Sequence, residues 1–296
     1  MPTSLQRVAI TGSTGLIGSA LVGHLRSEGH TVQRLVRRKA AAPDEISWDP
    51  KSGTIDIAAL EGVDAVIHLA GANVGDHRWT KKYRAEILNS RLLGTTTIAQ
   101  AVSTVRPKVF ISGSAIGFYG ETGNRAVSES DRGGDDFLAA VCREWEAAAD
   151  LAGETRTVKI RTGLVLEPTG GALGRMLPLF RFGLGGKIGS GKQWWSWITL
   201  HDEIRAICHL LESDVSGPIN LTSPNPVTNQ EFTAALARAL HRPALFPVPG
   251  IALKAVLGGF STEILGSKKV LPTALTDSGF TFDYPHLLNA LEELAQ

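Results

Sequence analysis

Eight residues near the start of the chain, Thr11-Gly12-Ser13-Thr14-Gly15-Leu16-Ile17-Gly18, limit its fold more than any other stretch. They follow a short apolar run, Val8 to Ile10. They open a segment, Leu16 to Ser27, whose apolar residues recur at helical spacing and which stops at Gly29. A glycine loop between a strand and a helix is suited to a pyrophosphate. Gly12 permits the tight turn, Gly15 lets the backbone approach the phosphates, and Gly18 lets the helix pack on the sheet. The helix start adds unpaired N–H groups and a partial positive charge. Ser13, Thr14, Leu16 and Ile17 share the loop and are expected beside the same dinucleotide.

Strands and helices alternate after this loop. Thr31 to Val36 reads as a strand, Trp48 to Ile55 as a hairpin or tight turn, and Ala65 to Leu69 as a strand before Gly71. A long amphipathic helix fits Lys81 to Val102. Val109 to Ile111 and Val158 to Ile160 read as strands, with a helix from Phe137 to Leu151 between them. Such alternation means right-handed crossovers and a parallel sheet. The expected fold is α/β: a doubly wound Rossmann sheet over residues 1–165 with a smaller C-terminal α/β substrate region over 166–296. Elements from 195 to 225 partly return to the sheet. In that second part Asp202 is expected to N-cap a helix reaching Leu211. Ile219 to Leu221 reads as a strand. Thr228 and Glu231 stand in capping-box spacing before a helix reaching Leu240. Trp194, Trp195 and Trp197 follow a glycine-rich stretch and fit either a pocket wall or a core.

The chain of 296 residues carries a net charge of +1, with no basic footprint for nucleic acid. The two cysteines, Cys142 and Cys208, are in no metal or redox spacing and read as buried thiols. Met1 to Arg7 is short and polar, and no apolar run is long enough to span a bilayer. A cytoplasmic protein is expected, with a small-molecule substrate, no metal, and neither nucleic acid nor membrane as partner. No nucleophile elbow, zinc cluster or Walker loop is present, which leaves hydrolase, metalloenzyme and phosphoryl-transfer chemistry without support.

The end of the second strand indicates which dinucleotide. An NAD site places a carboxylate there for the ribose hydroxyls. This chain places Arg37-Arg38-Lys39 there. A guanidinium pairs with a 2′-phosphate and stacks on adenine, so NADP(H) is expected, with Arg37 and Arg38 as its contacts.

The loop spacing, Gly-x-x-Gly-x-x-Gly, resembles that of the short-chain dehydrogenase/reductase superfamily. His68-Leu69-Ala70-Gly71, Ser112-Gly-Ser114, Phe118-Tyr119-Gly120 and Trp197 to Asp202 resemble motifs of its extended members, such as sugar-nucleotide epimerases. So do Gly217 to Leu221 and Pro226 to Phe232. A narrower set resembles the atypical "epimerase family protein" group, NAD-dependent epimerase/dehydratase-like. It comprises Arg78-Trp79, Glu86, Ser90-Arg91, Trp145-Glu146, Arg161 to Val165, Gly189 to Gln193, Ser196 to Ile198 and Val270 to Phe280. That group carries a C-terminal segment of unassigned function, matching 243–296 here. The resemblance implies that Arg37, Leu69, Ala70, Gly71, Glu86, Arg91 and Arg161 lie beside the cofactor. A structural salt bridge is the alternative for Arg161, and a surface charge for Glu86 or Arg91.

The superfamily's acid/base is a tyrosine with a lysine four residues later on one helix, where the lysine lowers the phenol's pKa. The corresponding helix here, Asp135 to Leu151, contains neither residue. Leu138 and Cys142 stand at the two positions. None of Tyr83, Tyr119 and Tyr284 has a lysine four residues on. Ser114 resembles the serine that polarises the substrate, Tyr119 lies in the loop beside it, and these two are the catalytic candidates. Cys142 as a replacement nucleophile is the less simple alternative to a structural thiol. Three activities fit: an NADPH-dependent oxidoreductase acting on a carbonyl or sugar nucleotide, an epimerase that returns its hydride, and a non-catalytic NADP(H)-binding redox sensor or regulator.

Overall fold

The structure, a computed structural model, describes residues 6–295; Met1 to Leu5, most of the polar leader, and Gln296 lie outside it. Strand β1 (Arg7–Thr11) enters helix α1 (Leu16–Ser27) through the glycine loop, and β2 (Thr31–Val36) follows. β3 (Glu45–Asp49) and β4 (Thr54–Ile55) form an antiparallel hairpin, as the turn residues predict. β5 (Ala65–His68) precedes α2 (Lys81–Val105), which Thr80 caps by accepting the Tyr83 N–H. Then come β6 (Val109–Ala115), β7 (Ala126–Val127), α3 (Phe137–Ala149), β8 (Arg156–Thr162), β9 (Leu164–Glu167) and α4 (Gly171–Arg181). β10 (Trp194–Trp195) and β11 (Trp197–Thr199) lead to α5 (Leu200–Glu212), β12 (Gly217–Leu221), β13 (Val227–Thr228) and α6 (Asn229–Ala239). The tail adds α7 (Gly250–Leu257), α8 (Ser261–Leu265), β14 (Lys269–Val270), α9 (Thr273–Asp277) and α10 (Leu287–Leu294).

The main sheet runs β12-β8-β6-β5-β1-β2-β3-β4, and every neighbouring pair but β3 with β4 is parallel. The chain builds outward from β1 to β4, then returns to β5 on the other side. The crevice above β1 and β5 is therefore the point where strand order reverses, the place such sheets bind ligands. Alternation along each strand decides which layer a side chain joins. Val8 and Ile10 pack with Leu21 and Leu25 of α1 and Ile207 of α5, while Ala9 packs with Ile98 and Val102 of α2. Each of the valine, leucine and isoleucine side chains contributes about 1.5–3 kcal/mol by leaving water.

Three expectations on the C-terminal side resolve here. Thr228 and Glu231 form the reciprocal capping box. Trp197 is fully buried in a core with Leu177, Phe232 and Leu291, and Trp195 stacks edge-on against Phe232 at 5.2 Å; these two are core residues. Asp202 is not the N-cap. Thr199 is, accepting the Asp202 N–H at 3.0 Å. The Asp202 carboxylate is buried and accepts N–H groups from Asp283 and Tyr284 at 3.0 and 2.9 Å. Only the tail could supply those donors, and the local pattern did not contain it. Among the described residues no helix is long and apolar enough to cross a membrane.

Candidate functional site

The glycine loop has little room to spare. Gly12 has φ +69°, and a Cβ there would lie 2.8 Å from the Leu69 carbonyl carbon. A Cβ at Gly18 would lie 2.2 Å from the Gly12 oxygen. Helix α1 begins at Gly15 with no side-chain cap and no acidic residue in its first turn. Its leading N–H groups therefore lack a side-chain acceptor, which suits a bound anion. Ser13 is buried, Thr14 is exposed, and Leu16 and Ile17 are half-buried beside them. Thr11 ties the neighbouring strand to the loop: its Oγ1 accepts the Leu69 and Ala70 N–H groups at 3.1 and 3.2 Å. Both lone pairs are then used, so its own proton goes to His68 Nδ1 at 2.7 Å. His68 is fully buried, and burial, with the Arg91 cation, pushes its pKa down to about 3.

The two predicted arginines diverge. Arg38 makes a forked pair with Glu45 at 2.5 and 2.7 Å and holds that carboxyl at about 2. Its donors are thus engaged within the protein. Arg37 is exposed at the end of β2 and makes no ion pair among the described residues. Both line a cavity of about 390 Å³ with Lys39, Trp48 and Ile55.

Arg91, on α2, donates to the carbonyls of Ala72 and Ile87 and lies 4.8 Å over the Trp145 ring. Gly71 packs beside it, where a Cβ would make only ordinary contact, 3.4 Å, with its guanidinium carbon. Glu86, on the same helix, is exposed.

Ser114, Tyr119 and Arg161 meet in one buried network. Arg161 donates to both Glu146 oxygens at 2.8 and 2.9 Å and to the Tyr119 hydroxyl at 2.9 Å. Ser114 Oγ donates to Glu146 Oε1 at 2.6 Å, and Tyr119 donates to Asn220 Oδ1 at 2.8 Å. Arg161 also lies 3.5 Å over the Phe118 ring. Burial pushes Tyr119 up to about 12 although Arg161 opposes it. A phenol that gives its only proton to Asn220 and ionises so late is poorly suited to protonate a substrate near neutral pH. The salt bridge considered for Arg161 is present, and Glu146 is its partner. Leu138 and Cys142 sit beneath Gly117, and the thiol is pushed up to about 12 by burial, so it lacks the thiolate a nucleophile needs.

One group, His201, Asp202 and Asp283, brings possible metal-ligand atoms within 4.8 Å of one another. Arg205 already neutralises both aspartates at 3.0 and 3.3 Å.

Comparison with known proteins follows the same lines. Residues 8–140 match the model of the NAD dependent epimerase/dehydratase family, and residues 248–294 match a domain of unknown function. An epimerase family protein of Mycobacterium leprae is 45% identical over 96% of this chain and 94% of its own length. This chain belongs to the epimerase family proteins. A crystal structure of the human epimerase family protein SDR39U1 with NADPH superposes with a TM-score of 0.90, at 37% identity over 98% of this chain and 99% of that one. A UDP-N-acetylglucosamine 4-epimerase of Bacillus cereus shares the fold with a TM-score of 0.76 at 18% identity, over 98% of each chain.

In this epimerase family protein, sequence reasoning underrated Glu146 and Asn220. Both lay inside quoted motifs. Their signal was a carboxylate beside Trp145 on the helix facing Arg161, and an amide within the edge strand, but their roles depend on a meeting of α3, β8 and β12.

Proposed function

We propose that this chain binds NADP(H) over β1 and β5 and acts as a reductase of a small carbonyl compound, a class that includes keto sugars of sugar nucleotides. One observation carries the reading: a phosphate loop without space for a Cβ stands beside a strand end that bears the unpaired Arg37 and no carboxylate. An NAD site would hold an acid at that end, whereas a guanidinium fits the 2′-phosphate. The human relative crystallised with NADPH supports the choice. The first turn of α1 would take the pyrophosphate, and Leu69, Ala70 and Gly71 would border the adenosine side.

Bound NADPH supplies a hydride. The chain's own part is to orient the carbonyl. Ser114 is the polarising group in this reading. Its Oγ turns from Glu146 toward the substrate oxygen, and Arg161 keeps Glu146 paired as it does so. With no tyrosine and lysine on α3, solvent water supplies the proton for the new hydroxyl. The setting is cytoplasmic, and a homodimer forms through α2, whose Leu93 is 42% exposed.

A second reading is a non-catalytic NADP(H) sensor. It is favoured by Leu138 and Cys142 at the acid/base positions and by the internal engagement of both the Ser114 and Tyr119 protons. NADPH deuterated at C4 separates the two. Each stereoisomer is incubated with protein and cell extract, and metabolites are read by mass spectrometry. Label transferred by the wild type, and not by Arg37→Ala with Ser114→Ala, is the expected result. Tight NADPH binding without any transfer would instead select the sensor or an epimerase that keeps its hydride. Equal affinity for NADPH and NADH would overturn the role given to Arg37.

A further inference from the structure

Helix α7 reads Gly-Ile-Ala-Leu-Lys-Ala-Val-Leu, and none of its eight residues is buried. An apolar helix usually hides such a surface against a neighbour, yet Ile251 is 84% exposed and Val256 67%. The apolar surface continues beyond the helix. The Phe246 N–H donates to the Gly185 oxygen at 3.1 Å and the Val248 N–H to the Lys187 oxygen at 2.9 Å. The segment before α7 therefore lies along the segment after α4, which places Leu245 and Phe246 near Phe182 and Leu184. Of the ten large apolar side chains exposed among the described residues, seven fall within 179–184 and 245–256. So much apolar surface gathered in one region marks an interaction site.

Charge on these segments has one sign. Between 168 and 201 the charged residues are Arg175, Arg181, Lys187 and Lys192; between 232 and 262 they are Arg238, Arg242 and Lys254. Neither stretch contains an Asp or Glu. All seven cations are exposed. Arg175 reaches Asp76 at 3.5 Å, and none of the other six has an ion pair among the described residues.

We infer that this face docks peripherally on an anionic lipid surface, with Phe182, Leu245 and Ile251 entering the headgroup boundary and Arg181, Lys187, Arg242 and Lys254 meeting lipid phosphates. Exposed apolar side chains on two segments whose own charges are all cationic, with Asp76 the acid paired to them, are complementary to that surface. A second copy of the chain fits poorly, because a two-fold contact sets the same patch, and so the same cations, on both sides. The single sign of charge on both segments, rather than residue type, favours an anionic lipid surface over a protein partner. Spanning length, the ground for expecting no membrane partner, does not bear on a face built from two distant segments.

The test is co-sedimentation of the full chain with vesicles of phosphatidylcholine alone and of phosphatidylcholine mixed with phosphatidylglycerol. Pelleting is expected only with the mixed vesicles, and added salt should release the protein. Phe182→Glu with Ile251→Glu, and separately Arg242→Glu with Lys254→Glu, should each lower the bound fraction about tenfold. Their NADPH titrations should match the wild type, showing that they fold. The inference falls if the wild type pellets with neither vesicle or equally with both, or if the variants bind like the wild type. It also falls if light scattering finds a dimer that Ile251→Glu dissociates, which would make the face a contact between copies.

Discussion

Two buried carboxyl groups illustrate how neighbours decide what a residue does. Glu146 is paired with Arg161, their side chains 10% and 4% exposed. Removing one partner leaves the other charge buried and unpaired, so Glu146→Ala should cost about 3–5 kcal/mol in a urea titration. An unchanged midpoint would mean that water replaces the carboxylate there. Glu203 has no such cation. Its Oε1 accepts from Thr162 at 2.8 Å, its Oε2 has no partner, and burial pushes its pKa up to about 8. The folded chain thus keeps a proton that the unfolded chain releases near 4.5. The stability linked to that proton is full below 4.5 and is lost as pH rises through about 8, at up to about 1.4 kcal/mol per pH unit. Glu203→Gln should equal the wild type near pH 5 and outlast it near pH 9, with denaturant midpoints as the readout.

The loop joining β1 to α1 leaves two of its glycines no room for a side chain. At Gly18 a Cβ would press on the Gly12 oxygen at 2.2 Å, which is backbone and cannot swing aside. Gly18→Ala should therefore displace the loop and weaken NADPH binding by about tenfold or more, an effect of roughly 1.4 kcal/mol. Far-UV circular dichroism should change little, because the sheet is held by cores on both faces. Fluorescence titration with NADPH gives the affinity, and wild-type binding by the variant would remove the loop from the cofactor site.

Across the whole molecule, the tail is woven into the rest. β14 pairs with β7, Ser196 Oγ donates to the Lys268 oxygen and accepts the Val270 N–H, and Asn220 donates to the Leu271 oxygen. Leu275 and Phe280 join the core of the main sheet, and Leu287 and Leu291 join the core around Trp197. A segment so placed cannot unfold by itself without exposing both cores. Calorimetry should give one transition, with tryptophan fluorescence and far-UV signals coincident. A chain ending before 248 should be insoluble; two separated transitions, or a soluble truncated chain, would show an independent tail.

Much of this could be read in residue order alone. The glycine spacing, the strand and helix periods and the capping box of Thr228 with Glu231 are local, because each depends on contacts within a few residues. The same is true of Arg37 standing at a strand end with no carboxylate. The missing tyrosine and lysine were equally legible, since an absence in one helix needs no partner to be seen. Contacts across the chain decided the rest. Tyr119 stands in the sequence as a catalytic candidate, but Asn220 and Arg161, brought to it by β12 and β8, engage its hydroxyl. Asp202 reads as a cap, but Thr199 three residues earlier caps the helix, and the Asp202 carboxylate instead accepts two N–H groups of the tail. Arg37 and Arg38 are neighbours of the same type, both exposed, and only the placement of Glu45 on β3 pairs one and leaves the other without an ion pair among the described residues. A residue's type sets the bonds it can make, but its competition among distant donors, acceptors and charges exists only after folding.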